Sequence, residues 1–293
     1  MRLLILFVVS LLVGCQSPLP SLPAWQSPEG REHAELGVIL DLRSGEQLSP
    51  QQLLERLAEA PRLLVGEQHD NPDHHALQLW LLQALATQRA QGSLLLEMLA
   101  PDQQGSVDRV RAQLAAGELV EDLPAALNWQ KGWDWRLYGP LLGYALAQPY
   151  PVLAANLDRA EMLDVYRKRP QLMGVASTAA PVHEQLLTQI RDSHCGKLPE
   201  SQLPAMLAVQ QQRDRRMAEA LLAAPAPSML LAGAYHVRRD LGVPLHLRDL
   251  GEPSGSLVLM LAEVDTPVSA DAADFVWYTA AQPQQDYCAN FGD

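Results

Sequence analysis

Four short stretches of the chain are apolar without interruption, and each runs into a polar turn. They read Arg62-Leu63-Leu64-Val65-Gly66, Ser93-Leu94-Leu95-Leu96-Glu97, Pro151-Val152-Leu153-Ala154-Ala155 and Ser228-Met229-Leu230-Leu231-Ala232. A strand with one wet face alternates apolar and polar residues, whereas an unbroken apolar run suits a strand covered on both faces, as in a parallel sheet. Residues 37–42, 257–264 and 275–278 are further strand candidates. Helical patterns lie between them. Asn71 is placed to cap a helix that starts at Pro72, with Leu77, Trp80, Leu81, Ala84 and Leu85 as its apolar stripe. Residues 101–116, 136–147, 181–191 and 199–224 also read as helices, the last broken or kinked near Pro204. Strand and helix alternate, which predicts an α/β fold with a mainly parallel central sheet flanked by helices. Insertions around residues 120–150 and 157–203 exceed a plain crossover and predict a smaller helical subdomain or lid.

Ahead of this domain the chain opens with Arg2 and an apolar run from Leu3 to Val13, then Gly14-Cys15. The run is shorter than the roughly 20 residues a permanent membrane span needs, so it reads as an export signal. Leu12-Val13-Gly14-Cys15 resembles a lipobox, so residues 1–14 are expected to be a lipoprotein signal peptide and Cys15 the lipidated first residue of the mature chain. The alternative is an ordinary secretory signal with an accidental cysteine. Gln16 in place of an aspartate favours sorting to the outer membrane, facing the periplasm. Residues 15–34, rich in Pro and Ser, read as a tether, and residues 35–293 as the folded domain.

The formal net charge is −12. Such a chain has no general attraction for nucleic acid or anionic headgroups, so an anionic ligand needs a local basic site. Of the three cysteines, Cys195 and Cys288 remain after lipidation. An even pair in an oxidising compartment predicts a disulfide; two unpaired buried thiols are the alternative.

In open parallel sheets ligands bind beyond the carboxyl ends of the strands. Here those ends carry Glu67 and His69, Glu97, then Asn156 and Asp158, and finally Gly233-Ala234-Tyr235-His236 with Arg238 and Arg239. Imidazole and carboxylate together can hold a divalent metal, exchange protons near neutral pH, or satisfy one another in an internal network. His74 and His75, in the first turn of a helix, read as surface or rim residues. Residues 128–138 gather Trp129, Trp133, Trp135 and Tyr138 beside Lys131 and Arg136. They suit either a clasp for a flat acidic ligand or a plug that seats the insertion on the core.

The ordered set of motifs resembles the ChaN-like haem-binding lipoproteins of the broader Tiki/TraB/erythromycin-esterase-like superfamily. The resemblance is carried by residues 65–72 with Glu67 and His69, by Glu97, by Trp133-Asp134-Trp135 with Tyr138 and Pro140, by Ala154-Ala155-Asn156, by His194-Cys195, by residues 210–217 and by residues 232–244. Two GxxH motifs, at Gly66 with His69 and Gly233 with His236, match the superfamily pattern. The ChaN branch implies haem binding in iron acquisition, with haem at a dimer interface and an outer-membrane haem receptor as a further partner. The Tiki branch implies metal-dependent hydrolysis of a peptide or ester, with Glu67, His69, Glu97 and His236 as catalytic or metal-binding groups. Haem needs an axial ligand, an apolar cleft and cations for its propionates. Tyr138, Tyr150, Tyr166 and Tyr235 are the candidate ligands, and Lys131 and Arg136 the candidate cations. A scaffold whose polar edge is only structural is the third alternative.

Overall fold

The computed structural model describes residues 19–252, 254–286 and 288–289; the expected signal segment and Cys15 lie outside the described residues. The strands are β1 (Ile39–Asp41), β2 (Gln47–Leu48), β3 (Arg62–Glu67), β4 (Ser93–Leu96), β5 (Val152–Ala154), β6 (Ser228–Gly233), β7 (Ser256–Glu263) and β8 (Phe275–Thr279). They form one sheet in the order β2-β1-β8-β7-β3-β6-β4-β5. The six strands from β8 to β5 are parallel, and β1 and β2 add an antiparallel edge.

Within the apolar runs the side chains divide by parity, as the pleat requires. Leu63 and Val65 of β3, Leu94 and Leu96 of β4, and Met229 and Leu231 of β6 belong to one core. Helices α1 (Pro50–Ala58), α2 (Pro72–Leu85), α3 (Pro101–Ala115) and α5 (Trp135–Leu146) cover that face. Leu64, Leu95 and Leu230 point the other way, into a core shared with α8 (Leu203–Ala223) and α10 (Val243–Asp249). Both faces are thus buried, which explains why no run alternates.

The two insertions supply α4 (Leu123–Ala126) and α5, then α6 (Arg159–Lys168) and α7 (Ala180–Ser193); α5 packs on α2, and α6 and α7 pack on α8. Pro204 does not kink a helix. A 3-10 turn at Glu200–Gln202 precedes α8, and Pro204 sits in the helix's first positions, where its missing N–H is no loss. The Asn71 cap forms as expected, its side chain accepting from the N–H groups of Asp73 and His74 at 2.9 and 3.3 Å.

The stretch read as a free tether is docked from Leu19 onward. Leu19 and Trp25 pack against the core, the Trp80 indole donates to the Pro20 carbonyl at 2.9 Å, and Glu29 bridges to Ala281. The Cys195–Cys288 disulfide is present, with Cα atoms 5.6 Å apart. Among the described residues no helix is long and apolar enough to cross a membrane.

Candidate functional site

The chain leaves β3 in both directions across the sheet: β6 and β4 lie on one side, β7 and β8 on the other. The crevice at such a reversal, beyond the strand ends, is where open α/β sheets take ligands. Both GxxH motifs sit there, and their glycines are needed for close approach. A Cβ on Gly66 would come within 2.5 Å of Val237 and 2.7 Å of the Met260 sulfur; one on Gly233 would come within 2.9 Å of the His69 ring. The short helix α9 (Ala234–Val237) therefore lies directly over the end of β3.

Glu97, which follows β4, is buried and fully engaged. One carboxylate oxygen accepts from Arg213 at 2.5 Å and faces the His236 Nε2 at 3.4 Å; the other accepts the Gly233 N–H at 2.7 Å. Arg213 also donates to the Asn156 side-chain oxygen at 3.0 Å, and Asn156 donates to the Glu97 carbonyl at 2.9 Å. On its far side His236 meets Asp214 at 2.5 Å and Gln210 at 3.1 Å. Burial disfavours the His236 imidazolium, but the charges of Glu97 and Asp214 outweigh it and hold its pKa up at about 9. Burial also opposes the Glu97 carboxylate, yet His236 and Arg213, with His69, hold it far below the usual carboxylate range.

The second cluster is built on Glu67. It accepts from the Tyr138 hydroxyl at 2.8 Å and pairs with the His69 Nδ1 at 2.6 Å, and its other oxygen lies 3.3 Å from His75 Nε2. Burial works against the His69 cation; the Glu67 hydrogen bond and charge, with Glu97, nonetheless raise its pKa. The Trp133 ring meets His69 edge-on at 4.8 Å, so the aromatic segment and the polar strand edge, which the sequence presented as separate, form one surface. Trp129, Trp133 and Trp135 are partly buried against the core.

His74 and His75 are not surface residues: both are buried. The Gln68 N–H donates to His74 Nδ1 at 2.9 Å, which leaves the proton on Nε2, 2.9 Å from the Thr279 hydroxyl. Burial and the neighbouring His75 lower the His74 pKa to about 3, so it is a neutral link between α2 and β8.

The four glutamate and histidine residues come together as expected, but not as a metal site. Glu97 spends both oxygens on Arg213, His236 and a backbone N–H, and Glu67 spends one on Tyr138 and His69. Among the described residues no group of three or more His, Cys, Asp or Glu side chains is placed to hold a metal ion. The candidate tyrosines separate sharply. Tyr138 is 1% exposed and its hydroxyl is held by Glu67; burial and that carboxylate push its pKa far up. Tyr150 is buried just before β5, at the sheet edge opposite the site. Tyr166 is half-buried two turns down α6. Tyr235, next to His236, is 46% exposed, with the Arg238 guanidinium 5.9 Å from its ring centre. Of the candidate cations, Lys131 is exposed, and Arg136 is bound to Asp134 by both ends of the fork. Arg213 and Asp214, absent from the sequence candidates, complete the network.

The two charged groups set an expected pH profile. The raised pKa of His236 gives stability that is complete below 6.5 and lost as the pH rises through about 9. The lowered pKa of Glu97 gives stability present above 4.5 and lost as the pH falls below it. Urea unfolding is therefore expected to give its highest midpoint between these limits; a midpoint still climbing from neutrality to pH 9 would contradict the His236 assignment.

A family model described as haem-binding uptake, Tiki superfamily, ChaN matches residues 53–247. A solved structure of ChaN of Campylobacter jejuni, described by its cofacial heme binding, is 30% identical, with a TM-score of 0.75 over 82% of this chain and 95% of that one. An effector domain of a Vibrio vulnificus MARTX toxin, RRSP, is 18% identical at a TM-score of 0.43 over 81% of this chain and 40% of that one. A mutant of the erythromycin esterase EreC in its open conformation is 13% identical at 0.46, covering 85% and 84% of the two chains. No curated protein matches the sequence.

Proposed function

The chain belongs to the ChaN-like haem-binding family of the Tiki superfamily, and from that membership we propose that it is a lipid-anchored envelope protein that binds haem for uptake through an axial Tyr235. The exposure of Tyr235 at the strand-end surface carries the choice of ligand. The Tyr235 side chain is exposed, whereas the Tyr138 hydroxyl is spent on Glu67. A tyrosine oxygen is a known ligand of haem iron.

The residues present fit the group. Trp133 meets the half-exposed His69 edge-on, and Tyr235 offers exposed aromatic surface on the turn after β6, next to His236. Lys131 stands exposed two residues from Trp133 and serves a propionate; Arg136, neutralised by Asp134, is the weaker choice. Haem would supply an iron for the tyrosine oxygen and two carboxylates for such cations. The engaged network of Glu67, Glu97, Arg213, Asp214 and His236 holds α8 and α9 in place beneath this surface. The cofacial binding named for the Campylobacter jejuni protein supports a second copy of this chain as the partner that covers the ligand. Anchoring at Cys15 and an outer-membrane location facing the periplasm belong to the same proposal; several acyl chains, at about 0.8 kcal/mol per buried CH₂, hold a protein stably where one does not.

Hydrolysis by a bound divalent metal draws no support from the donor set. An absorption titration of the soluble domain with haemin, beside metal analysis of the same sample, tests the choice. The expected result is a saturable haem band with no stoichiometric divalent metal; no saturable band in either oxidation state overturns the proposal.

A further inference from the structure

A cleft of about 770 Å³ lies beside the starts of β3 and β7, at the opposite end of the sheet from the site described above. Pro61, Ser256 and Leu257 form its edge at the strand starts, and residues 239–248 contribute another wall. Four arginines line it, Arg43, Arg56, Arg239 and Arg248, in a chain whose formal net charge is −12. Among the described residues no His, Tyr, Cys or Met lines it, so it offers haem iron no axial ligand.

The arginines are not all neutralised. Arg56 is, since Asp41 and Glu46 each pair with it at 2.9 Å. Arg43 and Arg239, by contrast, come from the turn between β1 and β2 and from the segment after α9 to the same oxygen of Asp274, at 2.5 and 2.9 Å. The other Asp274 oxygen accepts the Val258 N–H at 2.8 Å, and the carboxylate is 3% exposed, so one buried negative charge answers two cations. Each guanidinium carries five N–H donors in a fixed fork, far more than one shared oxygen takes up. Arg248 is exposed and has no ion pair among the described residues. Of the acids on the lining, Asp240 is held by both ends of the Arg238 fork, and Glu252 lies 3.6 Å from Arg62. Glu59 and Asp271 are exposed, where water and salt weaken their repulsion of an anion.

From this arrangement we propose that the cleft is a second binding site, for a small polyanion bearing phosphate or carboxylate groups, held between Arg43 and Arg239 with Arg248 as the third cation. Guanidinium forks match such groups two oxygens at a time. Ser254 and Ser256 place hydroxyl donors on the same lining. The buried Asp274 fixes two of the three cations before the ligand arrives, which lowers the ordering cost of binding. A second copy seated over the strand ends leaves this cleft open, so filling it does not require the haem surface to be free.

Calorimetric titration of the full-length protein with pyrophosphate and, separately, with citrate tests the proposal, at fixed ionic strength. A saturable one-to-one isotherm with at least one probe is expected; pyrophosphate alone assigns the site to phosphate groups, and citrate alone to carboxylates. Arg248→Gln and Arg43→Gln are each expected to weaken binding about tenfold, the scale of a hydrogen bond to a charged group. Both side chains are exposed, and Asp274 keeps Arg239 and the Val258 N–H when Arg43 is replaced, so circular dichroism is expected to stay at the wild-type level. Arg109→Gln, at an exposed position of α3 that does not line the cleft, removes the same charge and is expected to leave the isotherm unchanged. No saturable heat with either probe overturns the proposal. Unchanged affinity in the two cleft variants also overturns it, as does an equal loss in Arg109→Gln, which would mean diffuse attraction to the chain's arginines. The haemin titration reads the other end of the sheet and decides the haem-binding reading independently.

Discussion

Glu97→Ala is expected to lower the unfolding free energy by about 3–5 kcal/mol, the scale for removing one partner of a buried ion pair. The carboxylate is 1% exposed and answers three donors at once: Arg213, His236 and the Gly233 N–H. Alanine leaves the Gly233 N–H without an acceptor and strands two cationic groups against each other in a dry setting. It also removes the tie that draws α8 and the second GxxH turn onto the end of β4. Glu97→Gln keeps an acceptor for Gly233 and loses the charge, so its loss is expected to be smaller. Urea denaturation of the two variants checks the order. A loss below about 1 kcal/mol for alanine, the scale of an exposed pair, would mean that water reaches this cluster and that it is not the keystone of the site.

How much of this was legible in the sequence depends on where each signal resides. The parallel sheet was written locally, because a strand covered on both faces has to be apolar along its middle, and residues 63–66, 94–96 and 229–232 are. β2, a two-residue strand that holds only by pairing with β1, carries no such pattern. Glu67, His69, Glu97 and His236 could be found because each closes a strand or the turn after it. Arg213 and Asp214 could not be found by that rule, since they come from the middle of α8. A signal was nonetheless there: residues 210, 213, 214 and 217 share one helical face, and Met217 on that face is fully buried. The same spacing betrays His74, which falls on the stripe of Leu77 and Leu81. Reading it as a rim residue gave weight to its place in the first turn and too little to its face. The docking of residues 19–29 is different in kind. The partner that fixes it, Asp73, lies more than forty residues away, and no local pattern in a Pro- and Ser-rich segment reports a distant carboxylate.

Tyr235→Phe is expected to abolish or displace the ferric haem band and to weaken haemin binding by about tenfold or more, equivalent to 1.4 kcal/mol or above. The substitution deletes one oxygen from a ring that is 46% exposed and forms no hydrogen bond among the described residues, so stability and circular dichroism are expected to stay at the wild-type level. Tyr138→Phe is the matched control with the opposite signature. Its oxygen is buried and donates to Glu67, so its loss leaves a buried carboxylate short of a donor and is expected to cost about 1–3 kcal/mol of stability while sparing the band. Tyr166→Phe and Tyr150→Phe, on the flank of α6 and at the far edge of the sheet, are expected to leave the spectrum unchanged. Loss of the band in Tyr138→Phe with retention in Tyr235→Phe would assign the iron to the buried phenol and require the Trp133 segment to open. Retention in all four variants would move the axial ligand off tyrosine, and His69, whose half-exposed ring lies against Trp133, would be the next side chain to replace.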